Sequence, residues 1–321
     1  MNKICFGCGA HLQSENVNEI GYIPKEKLNT SVYCQRCFRL MHYGDKTNVD
    51  TPKSIDLILN NINNKDAYVL FLVDYISLNK DVIKVFKKIK TKKMLLISKA
   101  DIMPKSVIYE HLINNIKKTY EINDEIKIIS AESGYNVNNL INYLYYKNIK
   151  EVYLLGETNA GKSTLINKMM DLVGTNLNKI TTSSMHNTTL DFIRLKLTDD
   201  LTVIDSPGFV INATNDNKCA LINPKVYQMK KNETLRIGEY YFNFSENVSV
   251  IIYMNTLIDV QKVFKEVELD YEYEINNNTD LIIKGSFFIN IKNKCLIKTN
   301  LEKDKLEIRE SIIGDLWVKY K

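Results

Sequence analysis

Nine consecutive residues in the middle of the chain, Gly156-Glu157-Thr158-Asn159-Ala160-Gly161-Lys162-Ser163-Thr164, have the composition of a loop that cradles phosphates. Glycines at 156 and 161 let backbone N–H groups turn inward around a polyphosphate. An apolar run at 152–155 precedes the loop and a helical pattern at 162–172 follows it, which is the strand–loop–helix setting such a loop requires. The start of that helix adds its positive dipole end. Lys162 is expected to reach the β- and γ-phosphates and Ser163 to hold Mg2+, with Asn159, Ala160 and Thr164 as the remaining loop contacts.

Two further segments suit the same ligand. Asp205-Ser206-Pro207-Gly208 ends an apolar run at 201–204. There Asp205 can hold Mg2+, directly or through water, and Gly208 can give an N–H to the γ-phosphate. His186-Asn187-Thr188-Thr189 lies between the loop and that run, where a threonine can close over Mg2+ only when the γ-phosphate is present. Thr188 and Thr189 are equal candidates. Upstream of the loop, Ser98-Lys99-Ala100-Asp101 follows an apolar run at 94–97. Asp101 can accept from guanine N1–H and N2–H2, a pair adenine does not offer, and Lys99 can lie along the ring face. Ser130-Ala131 follows the next run and can donate a backbone N–H to guanine O6. The set points to GTP and GDP rather than ATP, with the base-reading parts placed before the phosphate loop.

Cys5-Phe6-Gly7-Cys8 and Cys34-Gln35-Arg36-Cys37 form a second constellation, two CxxC pairs 25 residues apart. Each pair can share one ion on a tight knuckle, and two knuckles complete the tetrahedral four-cysteine shell of structural zinc. A redox dithiol or incidental cysteines are the competing readings. His11 and His42 are surplus to four ligands, and Cys219 and Cys295 stand alone. Residues 36–43 mix Arg36, Arg39 and His42 with Phe38 and Tyr43, which suits RNA as well as it suits packing around a knuckle.

The elements that must position these groups alternate. Apolar runs at 67–73, 94–97, 126–129 and 152–155 read as buried strands, and 190–197 and 201–204 as two more. Helical spacing appears at 81–89, 106–120, 137–146 and 162–172. Such alternation implies an α/β sheet covered on both faces. Beyond about 211 it stops. Strands are expected at 240–244, 248–254, 280–283 and 287–291 and a short helix at 260–267, an α+β module. Lys225, Lys230, Lys231 and Arg236 could make an RNA-facing edge or a solvated face. The expected division is 1–50 for the cysteine module, 51–210 for the nucleotide-binding domain and 211–321 for a C-terminal domain.

The 321 residues are 45% hydrophobic with net charge +5, which excludes a disordered chain and neither demands nor forbids nucleic acid. No apolar run approaches the roughly 20 residues that span a bilayer. No apolar signal segment opens the chain, so a cytoplasmic protein without membrane contact is expected, with the cysteines more suited to metal than to disulfides.

Doubled CxxC, then SKAD, SAESG, GETNAGKST, HNTTLD and DSPG is the motif order of the circularly permuted GTPases, and with the four-cysteine module the chain resembles the YqeH family. The resemblance covers Cys5 to Phe209 and continues weakly through Asn223-Pro224-Lys225 and Leu235-Arg236-Ile237-Gly238. It implies a Ras-like sheet rewired in sequence, GTP hydrolysis, a role in assembly of the small ribosomal subunit through rRNA or ribosomal proteins, and an RNA- or protein-contacting C-terminal domain. A monomer is expected. Three residues depart from or qualify the pattern. Ser98 stands where Asn or Thr is usual, which implies looser guanine affinity. Phe209 stands where a Ras-type enzyme has a water-orienting Gln, which implies slow intrinsic hydrolysis. Asn159 resembles the asparagine of K+-dependent GTPases, the alternative being that it only shapes the loop. A nucleotide-stabilised RNA-binding scaffold with negligible turnover is the competing function.

Overall fold

The computed structural model describes residues 3–5, 10–16, 19, 21–28, 31–35, 55–105, 107–157, 160–174, 182–184, 192–209, 211, 224–255, 257–264 and 267–313. The chain divides into two compact units. The first takes Met1–Asp74, Val85–Asp101 and Asp124–Ile211; the second takes Tyr75–Lys84, Ile102–Asn123 and Asn212–Lys321.

Through the alternating region the order is α1 (Ile55–Asn63), β1 (Tyr68–Asp74), α2 (Lys80–Lys88), β2 (Lys92–Ser98), α3 (Tyr109–Tyr120), β3 (Glu125–Ile128), α4 (Val137–Tyr146), β4 (Glu151–Gly156), α5 (Lys162–Leu172), β5 (Thr182–Ser184), β6 (Ile193–Lys196) and β7 (Thr202–Asp205). Helix α3 falls in the second unit, and α2 begins there and ends in the first. Helix α1 was not anticipated from sequence. Helix α3 starts at Tyr109 rather than 106, because Ile108 before it is extended (φ −88°, ψ 111°).

The first unit is built on one seven-stranded sheet, ordered β3-β2-β1-β4-β7-β6-β5. The five strands from β3 to β7 are parallel; β6 and β5 add antiparallel. Strand β1 is central, and its five inner residues Val69–Val73 are all buried, which is why it reads as a continuous apolar run rather than an alternation. On one face, Leu70, Leu72, Leu96 and Leu154 meet Leu140, Ile141 and Leu144 of α4 and Leu165, Ile166 and Met169 of α5. On the other, Phe71 holds the rings of Phe86 (5.7 Å) and Phe209 (6.0 Å).

In the second unit, residues 224–313 form two five-stranded antiparallel sheets. The strands are β8 (Lys225–Met229), β9 (Thr234–Ile237), β10 (Tyr240–Phe244), β11 (Val248–Tyr253), β12 (Val260–Val263), β13 (Tyr271–Ile275), β14 (Thr279–Ile283), β15 (Phe287–Ile291), β16 (Cys295–Thr299) and β17 (Leu306–Glu310). One sheet is ordered β12-β9-β10-β16-β13 and the other β17-β14-β15-β11-β8. Their shared core includes Leu235, Phe242, Phe244 and Ile297 from the first, with Val250, Ile252, Leu281 and Ile289 from the second. The helix expected at 260–267 is instead β12, an edge strand paired with β9 from Val260↔Ile237 to Val263↔Thr234. Its valines favour a pleated edge, and β9 offers it a row of backbone partners. The helical part of this unit is α3, which precedes the phosphate loop in sequence.

Strands β14 and β15 are buried along their whole length. The face turned away from the sandwich core is therefore covered, and it carries charge. Arg309 of β17 reaches Asp280 of β14 (Nε to Oδ2, 3.3 Å) and donates through Nη1 to Leu78 O (2.7 Å) and the Tyr120 hydroxyl (2.5 Å). Tyr120 donates in turn to Glu307 (3.1 Å), whose other oxygen accepts the Lys80 N–H (2.6 Å). Asn290 donates to Asp280 (2.8 Å). All of these residues but the exposed Lys80 are buried, and burial pushes the Tyr120 hydroxyl well above the usual tyrosine range, so it remains a donor. The network ties α3 and the chain before α2 to the outer sheet. Removing one partner of a buried, hydrogen-bonded ion pair strands the other, at about 3–5 kcal/mol. Arg309→Ala is therefore expected to lower stability by about that amount, and Lys118→Ala, which breaks an exposed pair with Glu310, by less than about 1 kcal/mol. Urea unfolding followed by circular dichroism checks both.

Candidate nucleotide-binding site

The carboxyl ends of β1, β2 and β4 lie side by side, with Asp74 paired to Ser98 and Leu72 to Gly156. The groups singled out by sequence in this region emerge from those ends. Gly156 closes β4 where a Cβ would meet the Leu72 carbonyl oxygen at 2.4 Å, so glycine there is set by the approach of β1. Gly161 caps α5 with φ +99°, a conformation that side chains resist. Between them, Ala160 is buried, and Thr158 and Asn159 lie outside the described residues.

Lys162 opens α5 but its side chain folds back into the loop. Its ammonium donates to Gly156 O (2.8 Å) and Glu157 O (3.2 Å). Burial lowers its pKa, against the opposing pull of the Asp205 and Glu157 carboxylates. A buried ammonium held only by carbonyls and two nearby carboxylates is a strong attractor for a polyanion. Ser163 and Thr164 follow in the first turn of α5. Asp205 ends β7, opposite Leu154 of β4, and Ser206 is clamped by its N–H and hydroxyl to Leu154 O (3.2 and 2.9 Å). The chain then passes Gly208, and Phe209 bridges to Glu157 while its buried ring lies on Phe71. The Ile211 N–H donates to the Glu157 carboxylate (3.2 Å). His186, Asn187, Thr188 and Thr189 lie outside the described residues.

On the base-reading side, Lys99 takes a positive φ of 62° and pairs with Asp74 (3.2 Å). Ala100 N–H donates to Ile129 O (3.1 Å), which fixes the two loops to each other. Asp101 is exposed and accepts a short hydrogen bond from the buried Ser130 hydroxyl. The Ser130 N–H is engaged by Tyr135 O (3.0 Å), so Ala131 carries the N–H of that pair which remains for a base oxygen. Ser98, taken from sequence as a weakened support, donates its buried hydroxyl to Ala160 O (2.8 Å) and so ties the base-reading strand to the phosphate loop.

Three contributors escaped the sequence reading. Asp74 stands at a strand end with no motif around it, the Ser130 side chain was overlooked in favour of its backbone, and Glu157 occupies a variable position of the loop pattern. Parallel register, which places Asp74 beside Ser98, was the signal available for the first.

At the N-terminus, Cys5 and Cys34 are both buried and adjacent, with the Cys34 N–H donating to Cys5 Sγ (3.0 Å). Cys5 N–H to Ala10 O (2.8 Å) and Leu12 N–H to Lys3 O (2.8 Å) bracket the first knuckle. Cys8 and Cys37 lie outside the described residues. Among those described, no three His, Cys, Asp or Glu side chains gather as a metal cluster, and no helix is long and apolar enough to cross a membrane.

Sheet order, loop chemistry and motif order together define a circularly permuted P-loop GTPase, one that takes GTP and GDP with Mg2+. A family model described as RsgA GTPase matches residues 60–214, and one described as 50S ribosome-binding GTPase matches 151–284. The chain belongs to the YqeH family: it is 33% identical to YqeH of Bacillus subtilis over 255 residues, 73% of this chain and 70% of that protein. Nitric oxide-associated protein 1 of Mus musculus is 24% identical over 221 residues, 52% of this chain and only 32% of that much longer protein. GNP-bound YlqF from T. maritima, a solved structure, matches 51% of this chain and 61% of its own at 18% identity, with a TM-score of 0.33.

Two substitutions separate support from recognition. Ser98→Ala removes one neutral hydrogen bond to the loop and is expected to weaken GTP binding up to about tenfold, with guanine preference kept. Asp101→Ala removes the carboxylate that Ser130 orients and is expected to cost about 1.5–3 kcal/mol and to abolish discrimination against ATP. Competition of GTP, GDP and ATP against a fluorescent guanine nucleotide reads both.

Proposed function

We propose that this GTPase is a slowly hydrolysing switch in ribosome biogenesis, acting on the small subunit. The observation that carries the switch reading is the Glu157 junction. One residue of the phosphate loop bridges Phe209 and accepts from Ile211, so the chain leaving Asp205-Ser206-Pro207-Gly208 is bonded to the loop that holds the phosphates. A γ-phosphate that draws on Gly208 would be felt along that chain. Membership of the YqeH family and the description of the second family model support a ribosomal partner. The small subunit is inferred from the resemblance, and the words of that model name the large one.

In this mechanism Lys162 leaves its two carbonyls for the β- and γ-phosphates, and Ser163 and Asp205 would hold Mg2+. Thr188 or Thr189 would be the residue that closes over the ion while the γ-phosphate is present. Water attacks the γ-phosphorus and GDP leaves with the bridging oxygen. Phe209, buried against Phe71, offers nothing to orient the water, which supports slow turnover. We assign the charge compensation to K+ at Asn159. Four-cysteine zinc is our reading of the N-terminal module, because an N–H donated to sulfur suits a thiolate and the described pair is already in place. We take residues 1–50 and 211–321 as partner-binding modules, and the protein as a cytoplasmic monomer.

Co-sedimentation with purified small and large subunits, in apo, GDP and non-hydrolysable GTP-analogue states, is expected to show small-subunit binding enhanced by the analogue. Equal binding in all three states would instead support the competing reading, a nucleotide-stabilised RNA-binding scaffold. Capture on the large subunit alone would overturn the assignment of partner. For the metals, one zinc per chain is expected by elemental analysis and is lost in Cys34→Ser, and turnover is expected to fall by about tenfold or more when Na+ replaces K+. Zinc below half an equivalent, or equal turnover in both salts, removes the corresponding ion.

A further inference from the structure

The parallel strands of the first unit have a second end, and it carries a surface that nucleotide chemistry does not use. The phosphate and base loops leave the carboxyl ends of β1, β2 and β4. Tyr68 and Glu125 begin β1 and β3 at the amino ends. Helix α4 returns the chain between the carboxyl end of β3 and the amino end of β4, so its last turn also lies at the amino pole. That turn reads Tyr143, Leu144, Tyr145, Tyr146, with Lys147 next.

These side chains form a layered group. The Tyr143 ring has the Lys127 ammonium 5.0 Å from its centroid and the Lys147 ammonium 5.8 Å from it. Lys147 is also 5.8 Å from the ring of Tyr146. Lys127 lies on the same face of the sheet as α4, since it pairs with Leu96, a residue of the core beneath that helix. The Tyr143 hydroxyl meets that of Tyr68 (3.4 Å), and Tyr145 bonds Thr198 (2.8 Å), so the helix end is held in place. Tyr146 is held by neither: it is 84% exposed. Among the described residues, neither Lys127 nor Lys147 has a carboxylate within ion-pair distance. Two carboxylates face the group: Glu125 lies against the Tyr143 hydroxyl, and Glu125 and Asp124 both act on Tyr68.

The plain reading accounts for part of this. Lysine stems lie along tyrosine rings on many surfaces, and a cation at a helix C-terminus is favourable. Those effects explain Lys147 and the cover of Tyr143. They do not explain why the outermost ring, Tyr146, stays 84% exposed with the Lys147 ammonium beside it and Lys127 one ring further in. An exposed aromatic ring with one ammonium beside it and a second on the neighbouring ring complements a ligand that is both planar and anionic along its length. A single nucleic-acid strand has that chemistry: bases stack on exposed rings and phosphates meet the lysines.

We propose that the amino pole of the first unit binds single-stranded RNA, with Tyr146 stacking on a base and Lys127 and Lys147 meeting the flanking phosphates. This rests on the ribosomal reading for the source of the RNA, though not for the chemistry. The surface lies at the opposite end of the strands from the nucleotide, so both ligands can be bound together.

The test is fluorescence anisotropy of a labelled oligouridine on the full-length chain, over a range of salt, with fluorescent GTP binding measured in parallel. Tyr146→Ala is expected to weaken the oligouridine by at least about fivefold. Lys127→Gln with Lys147→Gln is expected to reduce the salt slope by about 1.4, two phosphate contacts at about 0.7 each. GTP affinity should stay as in the wild type, which shows that the variants fold. A duplex RNA of equal length should bind less tightly than the single strand. Unchanged affinity and salt slope in the variants, no oligouridine binding by the wild type, or displacement by an acidic peptide but not by single-stranded RNA would each overturn the proposal. If the variants lose oligouridine while the wild type ignores both subunits, the ribosomal reading fails and this surface stands. If subunit binding survives with the variants unaltered, the reverse holds.

Discussion

A parallel strand buried on both faces can present polar groups only at its ends. That constraint organises the first unit. Strand β1 buries all five inner residues, so its chemistry is confined to Asp74, and the same holds for Ser98 on β2 and Gly156 on β4. The register puts Ser98 level with Asp74 and Gly156 level with Leu72, so residues up to 82 positions apart in sequence emerge at one end of the sheet. The site is a consequence of strand length and register, with Ser98 to Ala160 as the cross-tie that joins its base and phosphate halves. The Ser98 hydroxyl makes that cross-tie itself.

The second unit meets the same constraint with a different outcome. Strands β14 and β15 are also covered on both faces, but their outer face retains Asp280 and Asn290. Those groups must be paired where they lie, and Arg309, Tyr120 and Glu307 pair them through a chain of donors that closes on the Lys80 N–H. Tyr120 belongs to a helix that, by its place in sequence, reads as part of the nucleotide-binding alternation. The charged network is what joins that helix to strands almost 200 residues further on, and it explains why the compact units do not follow a single cut in the sequence. An apolar interface could supply equal stability; a buried hydrogen-bonded one also fixes register, since few alternative placements satisfy every partner.

How much could be read beforehand follows from these facts. Strands β1, β2 and β4 and helices α4 and α5 were legible because burial on two faces gives unbroken apolar runs and burial on one gives a 3.6-residue period. The loop motifs were legible because phosphate chemistry limits which residues can serve. Strand β12 falls where the sequence suggests a helix at 260–267, because the edge of β9 that pairs with Val260–Val263 is invisible in one dimension. Strand β13, Tyr271–Ile275, alternates Tyr and Glu at period two and was overlooked beside stronger signals. The side-chain ties of Ser98, Ser130 and Glu157 were not legible, because each depends on which loop lies within about 3 Å, and that is a property of register.

If RNA binds at the amino pole as proposed, its separation from the nucleotide has a thermodynamic consequence. Coupling between two ligands requires a difference in how each binds two states of the protein, and the reciprocity is exact in free energy. The strands between the two poles are packed on both faces, so the amino pole is expected to bind its strand equally well with GTP or GDP. Nucleotide sensitivity must then arise at the carboxyl pole, where Glu157 holds the chain that follows Phe209. A protein built this way has one constant anchor and one gated contact. The constant contact sets residence on the partner, and the gated contact sets when that residence ends; neither has to be weakened to tune the other.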